Sequence, residues 1–274
     1  MAITSFIPEV WNAQLLTDFR EQAIAAALTN REYEGNASAG NVVKINSATA
    51  IAIDDYAAAG RTTSADAVST TSVDLLIDQE KSFDFYIDDI DRAQAAGSMD
   101  VFTRSAGEGL AEDADKFVLS TAVTGAGTTL TTNITDGTLA FNAIRDLRKA
   151  LNKNKVPQAQ RVLIVNAEFE GHLLASDAKL TNVDMSGSPE GLRSASLGRL
   201  LGFDIFVSEN LPVTDQPQAL AFYRPSLAYV SQVEKTEALR ANDKFADRLR
   251  GLHVYGAKVL RAGKGVAVLT DGTV

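Results

Sequence analysis

The sequence predicts an α+β fold on three observations: one long helical run near residue 100, a strand-turn-strand segment before it without a core of its own, and strands alternating with shorter helices after residue 138. From Ser98 to about Val123 the apolar residues Met99, Phe102, Ala106, Leu110, Ala114 and Phe117 fall three or four apart, which predicts one buried stripe. Arg104, Glu108, Glu112, Asp115 and Lys116 are predicted on the opposite, solvated face. Ser98 can cap the first turn, Asp100 suits the positive end of the helix dipole, and Gly125 and Gly127 supply the stop. At 1.5 Å per residue the helix is roughly 40 Å long. Gly107 and Gly109 each cost about 1 kcal/mol against alanine in a helix interior, which predicts close packing there.

The other elements follow in chain order. Pro8, Trp11, Leu15, Phe19, Ala23 and Ala27 describe an amphipathic helix in an N-terminal arm. After a polar stretch, NVVKIN predicts a strand with Val43 and Ile45 on one face. TAIAIDDY and TSVDLLID predict two strands of a long hairpin, whose tip, Ala57 to Thr70, offers almost nothing large enough to bury. Such a tip is expected to be ordered by a partner rather than by its own contacts. KSFDFYIDDID continues as a strand with Phe83, Phe85 and Ile87 inward. Beyond the long helix, GAGTTLTTNITDGT predicts a loop and an edge strand. A second helix is predicted from about Thr138 to Asn152, with Leu139, Ala143, Leu147 and Ala150 buried and Arg148, Lys149 and Lys153 at its end. RVLIVN, with no polar face, predicts a buried strand, and AEFEGHLLAS a short helix. GFDIFVSENLP, ALAFY and LAYVSQVEKTEALR predict further strands, and LRGLHVYGAKVLRAGKGVAVLT a hairpin turning at Arg261 to Gly265.

At 274 residues and 45% hydrophobic content the chain can build a full core. A net charge of −9 argues against nucleic-acid binding by the molecule as a whole. The charge is uneven: residues 1–120 carry 20 acidic and 8 basic side chains, whereas 235–264 carry 3 acidic and 8 basic. That split fits solvated surface, and it also fits a subunit whose two regions meet different copies of itself. Without cysteine there is no disulfide, thiolate metal site or cysteine nucleophile. No apolar run reaches the length that spans a bilayer, and MAITSFIPEV lacks the form of a signal peptide, so a soluble protein made in the cytoplasm is expected.

The residues suggest no active site. His172 and His253 read as surface or hydrogen-bonded histidines rather than bases. Asp84, Asp88, Asp89 and Asp91 lack the glycine and closing glutamate of a calcium loop, and Glu112, Asp113 and Asp115 lack a histidine at helical spacing. GAGTTL misses the third glycine of a dinucleotide fingerprint, and LRAGKGVAV has neither the first glycine nor the hydroxyl of a phosphate loop. No catalytic residue, cofactor or metal is therefore assigned.

IPEVWNAQLL, NREYEG followed by NVVKI, FYIDDIDRAQA before the long helix, and FADRLRGLHVYGAKVL near the end occur in that order. Together they resemble the major capsid proteins of tailed bacteriophages, which have the Hong Kong ninety-seven or Johnson fold. The resemblance implies an N-terminal arm at 1–40, an extended loop and peripheral domain with a spine helix at 41–130, an axial domain at 131–230, and a return to the peripheral domain at 231–274. It implies self-assembly into pentamers and hexamers of an icosahedral phage head enclosing double-stranded DNA without sequence-specific binding. Separate scaffolding, portal and decoration proteins are further partners that the resemblance allows, with assembly that needs no scaffolding protein as the open alternative. The virion capsid is the implied location, after assembly in the host cytoplasm. Many relatives carry a removable N-terminal scaffolding segment that is not seen ahead of the capsid-like sequence here, and no lysine and asparagine can be matched to the covalent cross-link of some members. With the charge split, the resemblance implies contact between neighbours through Asp54, Asp55, Arg61, Asp66, Asp74 and Asp78 of the loop and its base and Lys244, Arg248 and Arg250 of the C-terminal region. An encapsulin-type nanocompartment shell is the alternative of the same fold. An α+β hydrolase or binding protein is the alternative from another class.

Overall fold

The computed structural model describes residues 20–34, 40–48, 51, 53–58, 60–63, 67, 69–89, 100–175, 198–241 and 244–270. The arm helix expected around Trp11, Leu15 and Phe19 lies outside these residues, as do Ser98 and Asp66. A short helix α1 (Ala25–Leu28) is followed by strands β1 (Val42–Ala48), β2 (Thr70–Leu76) and β3 (Gln79–Asp88). The long helix α2 spans Asp100–Thr124 and ends at Gly125 as its sequence predicts. After it come β4 (Thr128–Thr131), α3 (Gly137–Lys153), β5 (Arg161–Val165), α4 (Ala167–Leu173), β6 (Arg199–Leu200), β7 (Phe203–Val207), β8 (Gln218–Tyr223), β9 (Leu227–Arg240), β10 (Ala246–Val259) and β11 (Val266–Thr270).

The strands form three sheets. A mixed six-stranded sheet in the order β4-β11-β8-β5-β7-β6 is the centre of the molecule. Leu163, Val165, Ala219, Ala221, Ala267 and Leu269 face α3 and α4 on one side. Val162, Ile164, Leu220, Phe222, Val266 and Val268 face α1 and the second half of α2 on the other. Because both faces are covered, β5 is apolar after its first residue, Arg161, which is buried with its guanidinium donating to Pro157 O, Val156 O and Asn152 Oδ1. Asp136 caps α3 by accepting from the Leu139 amide, and Asn166 caps α4 by accepting from that of Phe169. The α3 stripe lies slightly to one side of its prediction: Ala140, Ala143, Ile144, Leu147 and Leu151 are buried, while Leu139 and Ala150 are partly covered.

A three-stranded antiparallel sheet, β3-β10-β9, extends from this body, and β1 and β2 form a separate antiparallel hairpin. Three expectations are corrected here. Ile51 and residues 53–55 of TAIAIDDY form no strand; the hairpin is instead NVVKINSA against TTSVDLL, with Val42 opposite Leu76 and Ala48 opposite Thr70. The C-terminal segment is not a hairpin: β10 pairs with β3 and β9, and a short turn at Arg261–Gly263 passes the chain to the other sheet, where β11 pairs with β4 and β8. Finally, the α2 stripe is buried only in its second half, through Ala114, Val118, Leu119 and Ala122, while Phe102 is exposed and Ala106 and Leu110 are half-covered. Gly107 faces open space, and Gly109 receives the guanidinium of Arg20.

Candidate assembly surface

The hairpin is anchored at its base and bare beyond it. Val43, Ile45, Leu75 and Ile77 pack with Ala228, Val230 and Leu260 into a small core of their own. The crossing over β10 is close: a Cβ on Gly256 would stand 2.1 Å from the Leu76 carbonyl oxygen, so only glycine lets the two backbones approach. Past Ala48 this support ends. Ile53 is 96% exposed and Ile51 71%, and Tyr56 beside them is also open. The turn after them is locally organised, since Asp55 Oδ1 accepts from the amides of Ala57 (2.9 Å) and Ala58 (3.3 Å) and the Arg61 amide donates to Tyr56 O (2.9 Å). Arg61 takes φ +60 to close it. The loop is thus given a shape while, among the described residues, nothing covers its large apolar side chains.

The far end of the β3-β10-β9 sheet is the second such region. Phe245, in the turn between β9 and β10, is 81% exposed, and Leu239 and Tyr86, both opposite Arg248 in the register, are open nearby, with Leu252 open farther along β10. Charge surrounds them. Arg248 Nε donates to both carboxylate oxygens of Asp84 (2.8 and 3.0 Å), and this bond holds the Asp84 carboxyl below its usual range. Arg250 and Lys235 both reach Glu237, and their hydrogen bonds lower it to about 2. Arg240 bridges Asp89 and Asp247. Lys244 and Arg248 lie over the Tyr86 ring, 5.4 and 5.6 Å from its centre. Of the cations the sequence singles out, Arg248 and Arg250 therefore have carboxylates within their own chain. Those carboxylates, Asp84 on β3 and Glu237 on β9, sit on the two strands that flank β10, a pairing that charge counting alone did not find. Of the loop carboxylates, Asp74 stands opposite Lys44 in the hairpin register and Asp78 accepts from Gln79. Asp54 and Asp55 are exposed. No described loop carboxylate forms an ion pair with Lys244, Arg248 or Arg250 in the same chain.

Sequence periodicity misassigned one residue at the centre of the subunit. Asp115, predicted on the solvated face of α2, is 1% exposed. Its Oδ1 accepts from the amides of Ile24 (2.8 Å) and Ala25 (2.5 Å), and its Oδ2 accepts from Asn210 Nδ2 (2.9 Å). Burial raises its carboxyl above the usual value, against the hydrogen bonds that lower it. The residue joins the N-terminal segment, the long helix and the loop after β7. The same N-terminal segment continues onto β9, with Asn30 N donating to Leu227 O and Tyr229 N to Asn30 O. His253 is buried with Nε2 3.2 Å from Ser231 Oγ and 3.4 Å from the Tyr229 hydroxyl, and His172 is half-buried on the short α4. Among the described residues no group of three His, Asp or Glu is placed to hold a metal ion, and no helix is long and apolar enough to cross a membrane. The geometry offers exposed apolar surfaces and a latch that ties the N-terminal segment to the body, and the one serine–histidine contact, Ser231 with His253, has its imidazole buried in the subunit.

Residues 74–269 match the family described as phage capsid protein. A solved chain of Mycobacterium phage Che8 is 50% identical, with 98% of each chain covered and a TM-score of 0.91. The capsid structure of a cyanophage superposes over 100% of this chain and 95% of its own at a TM-score of 0.83 and 16% identity. A virus-like particle from Pyrococcus furiosus follows at 0.56, over 84% of this chain and 86% of that one, at 17% identity. No curated protein matches.

Proposed function

Because the chain belongs to the phage capsid protein family, we propose that its copies join through the extended loop and the outer end of the β3-β10-β9 sheet. The protein is a structural component of the virion capsid that forms icosahedral heads, and it is not an enzyme. Its fold is that of Hong Kong ninety-seven-like capsids. The contact reading is supported chiefly by Ile53, a large apolar side chain that the single subunit leaves almost fully in water. A neighbour that covers Ile51, Ile53 and Tyr56 gains their burial, at about 25 cal/mol per Å² of apolar area. Asp54 and Asp55 flank these residues and face cations of the adjacent copy, with Lys244, Arg248 and Arg250 as the partners. Arg248 and Arg250 then share their guanidinium groups between an internal and an external carboxylate.

Within the subunit, the peripheral part comprises the β1-β2 hairpin, α2 and the β3-β10-β9 sheet. The axial part comprises the six-stranded sheet, β4 and β11 included, with α3 and α4. Pentamers and hexamers enclosing double-stranded DNA, and separate scaffolding, portal and decoration proteins as partners, complete the proposal. Electron microscopy of the purified full chain tests it. Closed shells are the expected result, and a uniform population of monomers or dimers under all salt conditions overturns it.

A further inference from the structure

Helix α3 carries cations that its own fold does not require. Arg145, Lys149 and Lys153 recur every four residues, all exposed, and Lys149 lies opposite the buried Ile144, Leu147 and Leu151. The helix dipole accounts for Lys153 in the last turn, but its effect fades before Arg145, whose one partner is its sequence neighbour Asp146. Lys149 and Lys153 form no ion pair with any described residue. Residues 145–155 hold five basic side chains and one acidic one, in a chain of net charge −9. Arg145, Arg148, Lys149, Asn152 and Lys153 line an open groove of about 470 Å³.

A second observation concerns Lys155. The helix ends in a paired turn in which Lys155 N donates to Asn152 O (3.0 Å) and Val156 N to Leu151 O (3.1 Å), leaving Lys155 at φ +56. Glycine or asparagine is the favoured residue at that place, because a Cβ is strained there. Lysine at this position extends the row of cations beyond the end of the helix.

We propose that this face of α3, from Arg145 to Lys155, is a track for the phosphate backbone of double-stranded DNA, bound without reading its sequence. The proposal rests on the shell reading above and places this face toward the lumen. A second copy of the chain is the weaker candidate: among the described residues none of the exposed large apolar side chains lies on this face, whereas protein interfaces have an apolar centre. Interfaces with nucleic acid are polar and strongly positive.

The test uses full-length unassembled subunits and a labelled duplex of about 30 base pairs, titrated by fluorescence anisotropy from about 0.05 to 0.3 M salt. The triple variant Arg145→Gln, Lys149→Gln, Lys153→Gln should bind at least about tenfold more weakly, and the slope of log affinity against log salt should fall by roughly 2 to 3. Lys155→Gly should weaken binding about threefold while melting no lower than the parent, since it relieves the strained position. That variant keeps the test decisive if the triple variant folds poorly. Unchanged affinity and slope in both variants overturn the track. So does loss of shell formation with DNA affinity intact, which assigns the cations to a neighbour's carboxylates. Shells from the parent chain in electron micrographs alongside either result show that the track alone has failed.

Discussion

Asp115 shows how one side chain can hold three segments of the subunit together. Replacement by alanine leaves the amides of Ile24 and Ala25 and the side chain of Asn210 buried without an acceptor, and such groups cost about 1 to 3 kcal/mol each. Asp115→Ala should therefore lower stability by about 3 kcal/mol or more, measured by denaturant unfolding, with faster amide exchange in residues 24–30. The pH dependence has a defined sign. The folded state raises the Asp115 carboxyl, so its contribution is fully present below the ordinary value of 3.8 and is lost as pH rises through the folded value. The Asp115→Asn variant should lack this dependence in melting curves taken across the acid range. Glu237 behaves oppositely. Lowered from 4.5 to about 2 by Lys235 and Arg250, it contributes above 4.5 and loses that contribution as pH falls toward 2. Glu237→Gln should flatten the acid limb of the same profile, and by a small amount because the pair is exposed.

At the scale of the element, the hairpin and the β10 strand are joined by a close backbone crossing. Gly256→Ala would place a methyl group against the Leu76 carbonyl and the Ile77 backbone, where neither side can turn away. Overpacking of this kind costs about 1 to 3 kcal/mol. The variant should keep its helix content by circular dichroism, while hydrogen exchange speeds up across residues 42–48 and 70–76. Unchanged exchange there would mean that the hairpin is held by its apolar base alone. Helix α2 divides at about residue 113. Its second half is fixed by the six-stranded sheet and α1, and its first half has no buried residue among those described.

For the whole molecule, the separation between a packed body and a loop whose apolar side chains stay exposed predicts a separation between folding and assembly. Exchanging Ala57 to Thr70 for a short Gly-Ser turn should leave the subunit folded and soluble and block the formation of shells, read by light scattering and microscopy. The loop charges are best tested from the loop side, because Arg248 and Arg250 are bound within their own chain to Asp84 and Glu237. Asp54→Lys with Asp55→Lys should slow assembly at low salt. The difference should shrink as the screening length falls from about 10 Å at 0.1 M to about 3 Å at 1 M. Each exposed pair contributes only about 0.2 to 1 kcal/mol, but a shell repeats the contact at every subunit. Equal assembly rates for parent and variant at low salt would remove these carboxylates from the interface.

Local pattern was sufficient to locate much of this protein. The alternation of Val43 and Ile45, the apolar run of β5, the helical runs of α3 and α4 and the glycine stop after α2 are properties of neighbouring residues, and each survives in the fold. The order of four short segments carried the capsid resemblance. What local pattern could not supply was the identity of each partner. Ile51 and Ile53 alternate as a strand would, yet no strand lies beside them, and a strand requires another backbone to receive its hydrogen bonds. β10 and β11 read as one hairpin but enter different sheets, because pairing is decided between segments far apart in the chain. Asp115 lies at a polar position of a helix and reads as surface, and only the arrival of Ile24, Ala25 and Asn210 makes it interior. Periodicity records which side chains avoid water; which surface covers them is set by long-range contacts that only the tertiary structure brings together.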